Sequence, residues 1–423
     1  MKRNLVIILI LGLCASFIGF SAGETETEST ANNTIIYNSM HGDPAPRAAD
    51  EALVSQFLEL NPGISIIHSI VAHEDFKQAI RAYLTSSQAP DVLTWFAGNR
   101  ARFFIDKGLI MDISDVWEDA GFNETYSKGF KALSSVDGKQ YFLPTSWYWW
   151  AIYYRKSVFE KHGIEVPETW DEFLEVCETL KAKGITPIAI GTKYRWTAAA
   201  WFDYFNMRVN GPEFHINLML GTESYTDPRV KSVFTDYWAP LIDNGYFIEN
   251  AASYAWAEAI PFMTDESAAM YLMGDFIRDS FPEELVDDLD FFRFPIIDPS
   301  VPVGEDAPTD GYFIPKNAQN PELAKQFLAY IGSAEYQTFT AEELGRLNTN
   351  SEVDITLFSE SQQKGIEMIQ GADYVAQFYD RDTTPEMADA GMNGFMEFWA
   401  NTGSIDSILR KLEETRIEVF IEE

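Results

Sequence analysis

Eight aromatic residues fall in the fifteen positions from Tyr141 to Arg155, in the run Tyr141-Phe-Leu-Pro-Thr-Ser-Trp147-Tyr148-Trp149-Trp150-Ala-Ile-Tyr153-Tyr154-Arg155. Tyr and Trp each join a large apolar face to one polar atom that needs a partner. An interior has little use for so many amphipathic rings in succession, whereas a flat, half-polar ligand can be stacked between them. Pro144 breaks the run, and the aromatic and β-branched residues beyond it favour extended chain. The stretch therefore reads as a strand that leaves one lobe, crosses a cleft and enters a second. A buried strand that packs its rings into an ordinary core fits the same letters, because short apolar runs are ambiguous by pattern alone.

A chain of 423 residues outgrows one hydrophobic core, which makes two domains or lobes the expectation. Its 31 basic against 65 acidic residues leave a net charge of −34. Phosphate recognition needs clustered Lys and Arg, so nucleic acid is not expected as a partner, nor is an anionic membrane surface. Such acidity keeps a protein soluble and suits a salty medium. Lys2 and Arg3, followed by the apolar run Leu5 to Leu13, read as the start of an export signal too short to span a bilayer stably. Ser21, Ala22 and Gly23 supply small residues for cleavage, which makes 1–23 a signal peptide and 24–33 a flexible leader. Leu13 stands before Cys14 where a lipid-attachment motif takes a small residue, so no lipid anchor is expected. Cleavage leaves Cys177 alone; no internal disulfide supports the fold, and Cys177 reads as a small buried hydrophobe.

From Thr34 onward strand-like and helix-like pieces alternate. Thr34–Asn38 is β-branched; Ala48 to Leu60 has helical spacing and stops at Asn61-Pro62-Gly63. Ile64–Val71 reads as a strand, Glu74 to Ser87 as a helix, Val92–Trp95 as a third strand and Asn99 to Lys107 as a helix. That order indicates an α/β lobe with a largely parallel sheet. Beyond Pro144, Thr169-Trp-Asp-Glu172 matches a capping box that opens a helix to Lys183. Ile185–Ile190 reads as a strand and 198–279 as mostly helical. Phe291–Pro295 is an extended piece expected to recross between lobes, and Asp310–Pro315 is a strand. A helix from Asn320-Pro321 to Ile331 has Pro in its first turn, and the tail from about Ala341 is helical.

These pieces, in order, resemble the extracytoplasmic solute-binding proteins of ABC sugar importers, the maltose-binding-protein type. The matches are Ala89-Pro-Asp-Val92 ahead of Trp95, Gly108–Ile113, Gly138–Pro144 leading to Tyr153-Tyr154-Arg155-Lys156, and Val166–Phe173. Ala268–Asp275, Gly311–Asn317 and Asn320–Lys325 continue the series. Tyr379–Thr383 with Pro385-Glu386-Met387 resembles the branch that binds α-glucosides. The resemblance implies an α/β, two-lobed periplasmic-binding-protein-like fold (type II), with parallel-rich sheets flanked by helices and a hinge of crossing strands. The expected division is 34–143 plus 291–340 for one lobe and 144–290 plus 341–423 for the other. It implies an exported, monomeric receptor that passes a small carbohydrate (an α-glucoside, disaccharide or glucosyl-polyol) to ABC permease subunits and their ATPase. No cofactor or metal is implied.

A sugar has apolar C–H faces and a rim of hydroxyls, so its site needs rings to stack on and short polar groups to fix the rim. Trp95, Trp147, Trp149 and Trp256 are the stacking candidates. Trp147 and Trp149 are two apart on one extended run and should share a face, with Trp150 turned into the core. Asp275 and Asp380 are the candidate acceptors, and Arg381 and Arg346 the donors. Gly274 would allow close backbone approach beside Asp275, and Asp310 with Gly311 belongs to a loop that the family presents to the cleft. Ser39, His41 and Asn99 lie near strand ends or helix starts of the first lobe, where α/β sheets place ligand groups.

Catalytic patterns are poor by comparison. Gly19–Gly23 fits a nucleophile elbow only within the export signal, and no P-loop, dinucleotide fingerprint or HExxH occurs. Five histidines show no paired metal-ligand spacing, and Asp287, Asp288 and Asp290 lack the glycine-turned loop of a calcium site. A secreted glycoside hydrolase with a carboxylate pair is the rival reading. The same fold binding a non-sugar compatible solute is another.

Overall fold

The computed structural model describes residues 33–421. The expected signal peptide, Cys14 and nearly all of the leader lie outside that range. No described helix is long and apolar enough to cross a membrane.

Two sheets organise the chain. The first contains β1 (Thr34–Ser39), β2 (Ser65–Ile70), β3 (Val92–Phe96), β4 (Leu143–Trp147), β9 (Thr309–Phe313) and β10 (Leu347–Asn348). The second contains β5 (Trp150–Arg155), β6 (Thr186–Ile188), β7 (Ala268–Gly274) and β8 (Leu289–Phe292). In the first sheet the order is β10-β4-β9-β3-β1-β2. Helix α1 (Pro44–Leu60) joins β1 to β2 and α2 (His73–Thr85) leads on towards β3, so these three strands run parallel. The other half is antiparallel: β9 pairs with β3 and β4, and β4 pairs with β10. The second sheet, ordered β8-β5-β7-β6, has only β6 and β7 parallel. The sheets are therefore mixed rather than parallel-rich, and the chain passes between them three times.

Those crossings differ in place from the expected boundaries. The aromatic run is not one strand. β4 ends at Trp147 in the first sheet, Tyr148 and Trp149 bridge the gap, and β5 starts at Trp150 in the second. The Phe291 segment does not recross; it pairs antiparallel with β5, and the return runs through Asp306 to β9 instead. A third passage follows β10. β7 lies within 198–279, which the sequence presents as helical. All seven of its residues are buried, so no polar alternation marks it as a strand.

Local signals elsewhere act as the letters indicate. Thr169 and Glu172 form a capping box that opens the helix Trp170–Ala182, with Cys177 buried on its inner face. Pro321 begins the helix Pro321–Ile331. One core of the first lobe gathers Ile35, Tyr37, Leu53, Phe57 and Phe327, while the second lobe packs around Trp149, Trp201, Phe294 and Phe395.

Candidate ligand-binding cleft

A cavity of about 440 Å³ opens between residues of the two sheets. Its lining on the second lobe begins where the chain changes sheet. Leaving β4, Trp147 donates its indole N–H to the Asn348 carbonyl at 3.1 Å, which fixes the ring. Tyr148 meets the edge of Phe276 at 5.2 Å, and Trp256 meets the same ring at 5.0 Å and 83°. Behind them Trp150 stacks on Phe378 at 4.7 Å and takes Trp196 edge-on at 5.9 Å. Edge-to-face and stacked pairs of this kind hold rings rigidly as well as burying them. The result is an aromatic wall assembled from five separate segments of chain.

Polar groups come mainly from the other side. β1 ends in the loop Met40–Asp43, which brings His41; β9 brings Asp310 and Tyr312; the stretch before β10 brings Arg346. Asp310 accepts from the Arg381 guanidinium at 2.7 Å, and that guanidinium lies 4.1 Å from the Phe96 ring centroid. Asp380 accepts from Lys77 of α2 at 3.0 Å. Burial alone would raise Asp380, but Lys77, Arg100 and Arg381 override it and hold the carboxyl well below the usual range. Arg346 pairs with Asp279 at 3.3 Å.

Asp275 is different. It follows β7 directly, its carboxylate is taken by no described side chain, and it faces the cavity. Burial, with Asp279 nearby, pushes its pKa up to about 7, against the pull of Arg346 and Arg278. A carboxyl in that condition is short of hydrogen-bond donors, which the hydroxyls of a ligand could supply.

Residues 42–338 match the bacterial extracellular solute-binding protein family. This chain belongs to that family. An ABC transporter extracellular-binding protein of Pyrococcus horikoshii is 25% identical over 97% of this chain and 96% of its own length. The osmoprotective compounds-binding protein GgtB of Synechocystis is 24% identical over 85% of each chain. Among solved structures, the bacterial solute receptor AcbH superposes with a TM-score of 0.87 at 32% identity, over 92% of this chain and 100% of that one. AcbH is described as having an exclusive preference for β-D-galactopyranose. The family consists of solute-binding receptors rather than enzymes, which sets aside the hydrolase reading.

The solute-binding protein brings nine of the sequence candidates to the cavity: His41, Trp147, Trp256, Asp275, Asp310, Gly311, Arg346, Asp380 and Arg381. Five others are not on its wall. Trp95 is fully buried among Phe76, Phe96 and Phe104, because β3 is a central strand, paired with β1 on one edge and β9 on the other, and all five of its residues are buried. Trp149 is fully buried against Phe291 and Gly365. Strand alternation fails to link it to Trp147 because the strand ends between them, and Trp150 takes the place expected of Trp149. Ser39 is enclosed and reaches His68, Asn99 donates to the Asp382 carbonyl at 3.0 Å, and Gly274 makes room for the Phe276 ring rather than for a ligand.

Tyr148, Trp196, Phe276 and Phe378 escaped the sequence reading. No local pattern sets them apart from core aromatics; only the folded chain gathers them. Lys77 reads as an ordinary surface position of an amphipathic helix until Asp380, 303 residues away, is placed beside it.

Proposed function

We propose that the cleft holds a small neutral carbohydrate, which the receptor delivers to an ABC permease and its ATPase. One observation carries this reading: an aromatic wall rigid enough to stack on sugar C–H faces stands over Asp275, which no described side chain engages, and the polar groups of the opposite lobe. Charge-assisted hydrogen bonds to hydroxyls are the stronger kind, about 1.5–3 kcal/mol each. Within carbohydrates, two features narrow the choice. The motif Tyr379–Thr383, similar to that of the α-glucoside branch, contributes Asp380 and Arg381 to the wall, and the 32%-identical AcbH takes a hexopyranose. A hexopyranose, free or as the end unit of an α-glucoside, disaccharide or glucosyl-polyol, meets both. The receptor acts as a monomer whose lobes close on the sugar, because contacts from both walls are complete only in the closed state.

The test is a thermal-shift screen of the ligand-stripped mature protein against monosaccharides, disaccharides and glucosylglycerol, with glycine betaine and amino acids as controls. A sugar at about 100 times its dissociation constant stabilises by about 2.7 kcal/mol and raises the midpoint by several degrees. Flat curves for every sugar would remove the reading, and a response to betaine alone would move it to a compatible solute.

A further inference from the structure

Asp50 has no role in the cleft as described so far. It stands three residues before Leu53 and seven before Phe57, on the face that α1 buries, and is 1% exposed. Helical spacing asks for an apolar residue there. Instead a carboxylate is held, and groups from the first sheet converge on it. Its Oδ1 accepts from the Tyr37 hydroxyl at 2.8 Å and from His41 Nδ1 at 2.9 Å, while His68 Nε2 lies 3.5 Å from Oδ2. Tyr37 and His68 are themselves stacked, with centroids 4.5 Å apart and planes within 3°.

Asp50 itself reaches the cavity wall at its inner edge, and His41 stands on the same wall beside it. An ionised Asp50 can only accept, so Nδ1 must carry a proton. Nε2 then points away from Asp50, and no described group engages it.

We propose that Asp50 is a positioning residue for ligand recognition: it locks the His41 ring through Nδ1 and so presents Nε2–H to a sugar oxygen as a charged donor. The proposal rests on the carbohydrate reading of the cleft. Its consequence is an affinity that falls as His41 loses its proton. The neutral ring, whose remaining proton stays on Nδ1 and is donated to Asp50, offers the cavity only an acceptor. The bond then survives only if the sugar hydroxyl turns to donate, without charge assistance.

The surroundings favour the imidazolium form. His41 is faced by Asp50 from α1, His73 from α2, Asp310 and Tyr312 from β9, Arg346 from before β10, and Asp43 on its own loop, while Tyr37 from β1 and His68 from β2 share Asp50 with it. Burial and Arg346 oppose its charge, but Asp50 and Asp310 outweigh them and raise His41 above the ordinary imidazole value. Burial would likewise raise Asp50, yet His41, His68 and Ser39 hold it well below the usual carboxylate range.

Two measurements test this on the mature wild type, His41→Gln and Asp50→Asn. One is calorimetric titration with the sugar found by thermal screening, from about pH 5 to about pH 9; the other is NMR of the histidine ring resonances of the ligand-free proteins. In the wild type, affinity should fall about tenfold across the His41 titration, as expected for one charge-assisted hydrogen bond. The Gln variant should bind more weakly at low pH, with no such fall. In Asp50→Asn the His41 titration should move to lower pH and carry the fall in affinity with it, a displacement that a purely structural Asp50 would not produce. A flat wild-type profile, equal profiles for wild type and His41→Gln, or a His41 titration unmoved by Asp50→Asn overturns the proposal. Should Asp50→Asn fail to fold, the first two proteins decide it alone. If no sugar binds, the carbohydrate reading falls and takes the donor role with it. The ring titration then shows separately whether Asp50 controls His41, and a wild-type His41 at the ordinary imidazole value would refute that part too.

Discussion

Asp275 is caught between two demands. Packing beside β7 removes water from its carboxyl and raises the pKa from the ordinary 3.8 to about 7, while a sugar hydroxyl needs an acceptor at that place. The folded state therefore holds its proton more tightly than the unfolded chain does. Linkage then gives the sign: this group's penalty is absent below about pH 4 and grows as pH rises towards 7, so ligand-free stability falls across that window. Asp275→Asn has no proton to lose. It should melt at a higher temperature than wild type near neutral pH, flatten the profile between those limits, and weaken sugar binding about tenfold or more. Thermal melts at several pH values, paired with calorimetry, check both effects. A variant that melts lower at neutral pH would show that the carboxylate is satisfied in the empty cleft.

Elements rather than single residues decide how the lobes are joined. β9 and β4 run side by side through the hinge, and Gly311 faces Pro144 where their register shifts. A Cβ at 311 would collide with the Leu143 carbonyl and the Phe142 ring. The strands approach this closely only because the position is glycine. Gly311→Ala should cost about 1–3 kcal/mol or more, read from urea melts, because backbone rather than a mobile side chain must give way. A change below about 0.5 kcal/mol would mean that the crossing strands have room to yield at this point.

The same scale explains what the letters reveal and what they hide. β1, α1, β2, α2 and β3 are legible because each has its own period and its own stop, such as Asn61-Pro62-Gly63. The capping box at Thr169 and the Pro at 321 are equally local. β7 is not legible, since a strand buried on both faces has no alternation to read. The exchange of Trp149 for Trp150 has a related cause: alternation holds only within one strand, and the chain changes sheets between Trp147 and Trp150. Asp310, Asp275 and Arg381 could be named from the sequence, but their pairings could not. Asp50 carried a usable signal, a carboxylate at a position where helical spacing calls for an apolar side chain.

At the scale of the whole molecule, a net charge of −34 sets the conditions under which it is stable. Acidic groups repel one another through solvent, whereas Lys77–Asp380 and Arg381–Asp310 are mostly buried and little affected by salt. Stability should therefore rise as salt increases from low ionic strength to about 1 M, where the screening length shrinks to about 3 Å. Melts in sodium chloride check this. A midpoint that falls with salt would mean that exposed ion pairs outweigh the general repulsion. Saturating sugar should also draw the lobes together, seen as a smaller radius of gyration in solution scattering.

The central claim is that the rings of the second lobe form the wall against which a sugar lies. Trp256 tests it most directly, because it is only partly buried, lines the cavity and braces just one ring, Phe276. The measurement is the calorimetric dissociation constant of the screened sugar for Trp256→Ala beside wild type. Loss of one stacking face, about 1–3 kcal/mol, predicts binding weaker by about five- to 150-fold in a protein that still folds. An unchanged constant in the folded variant would contradict the account.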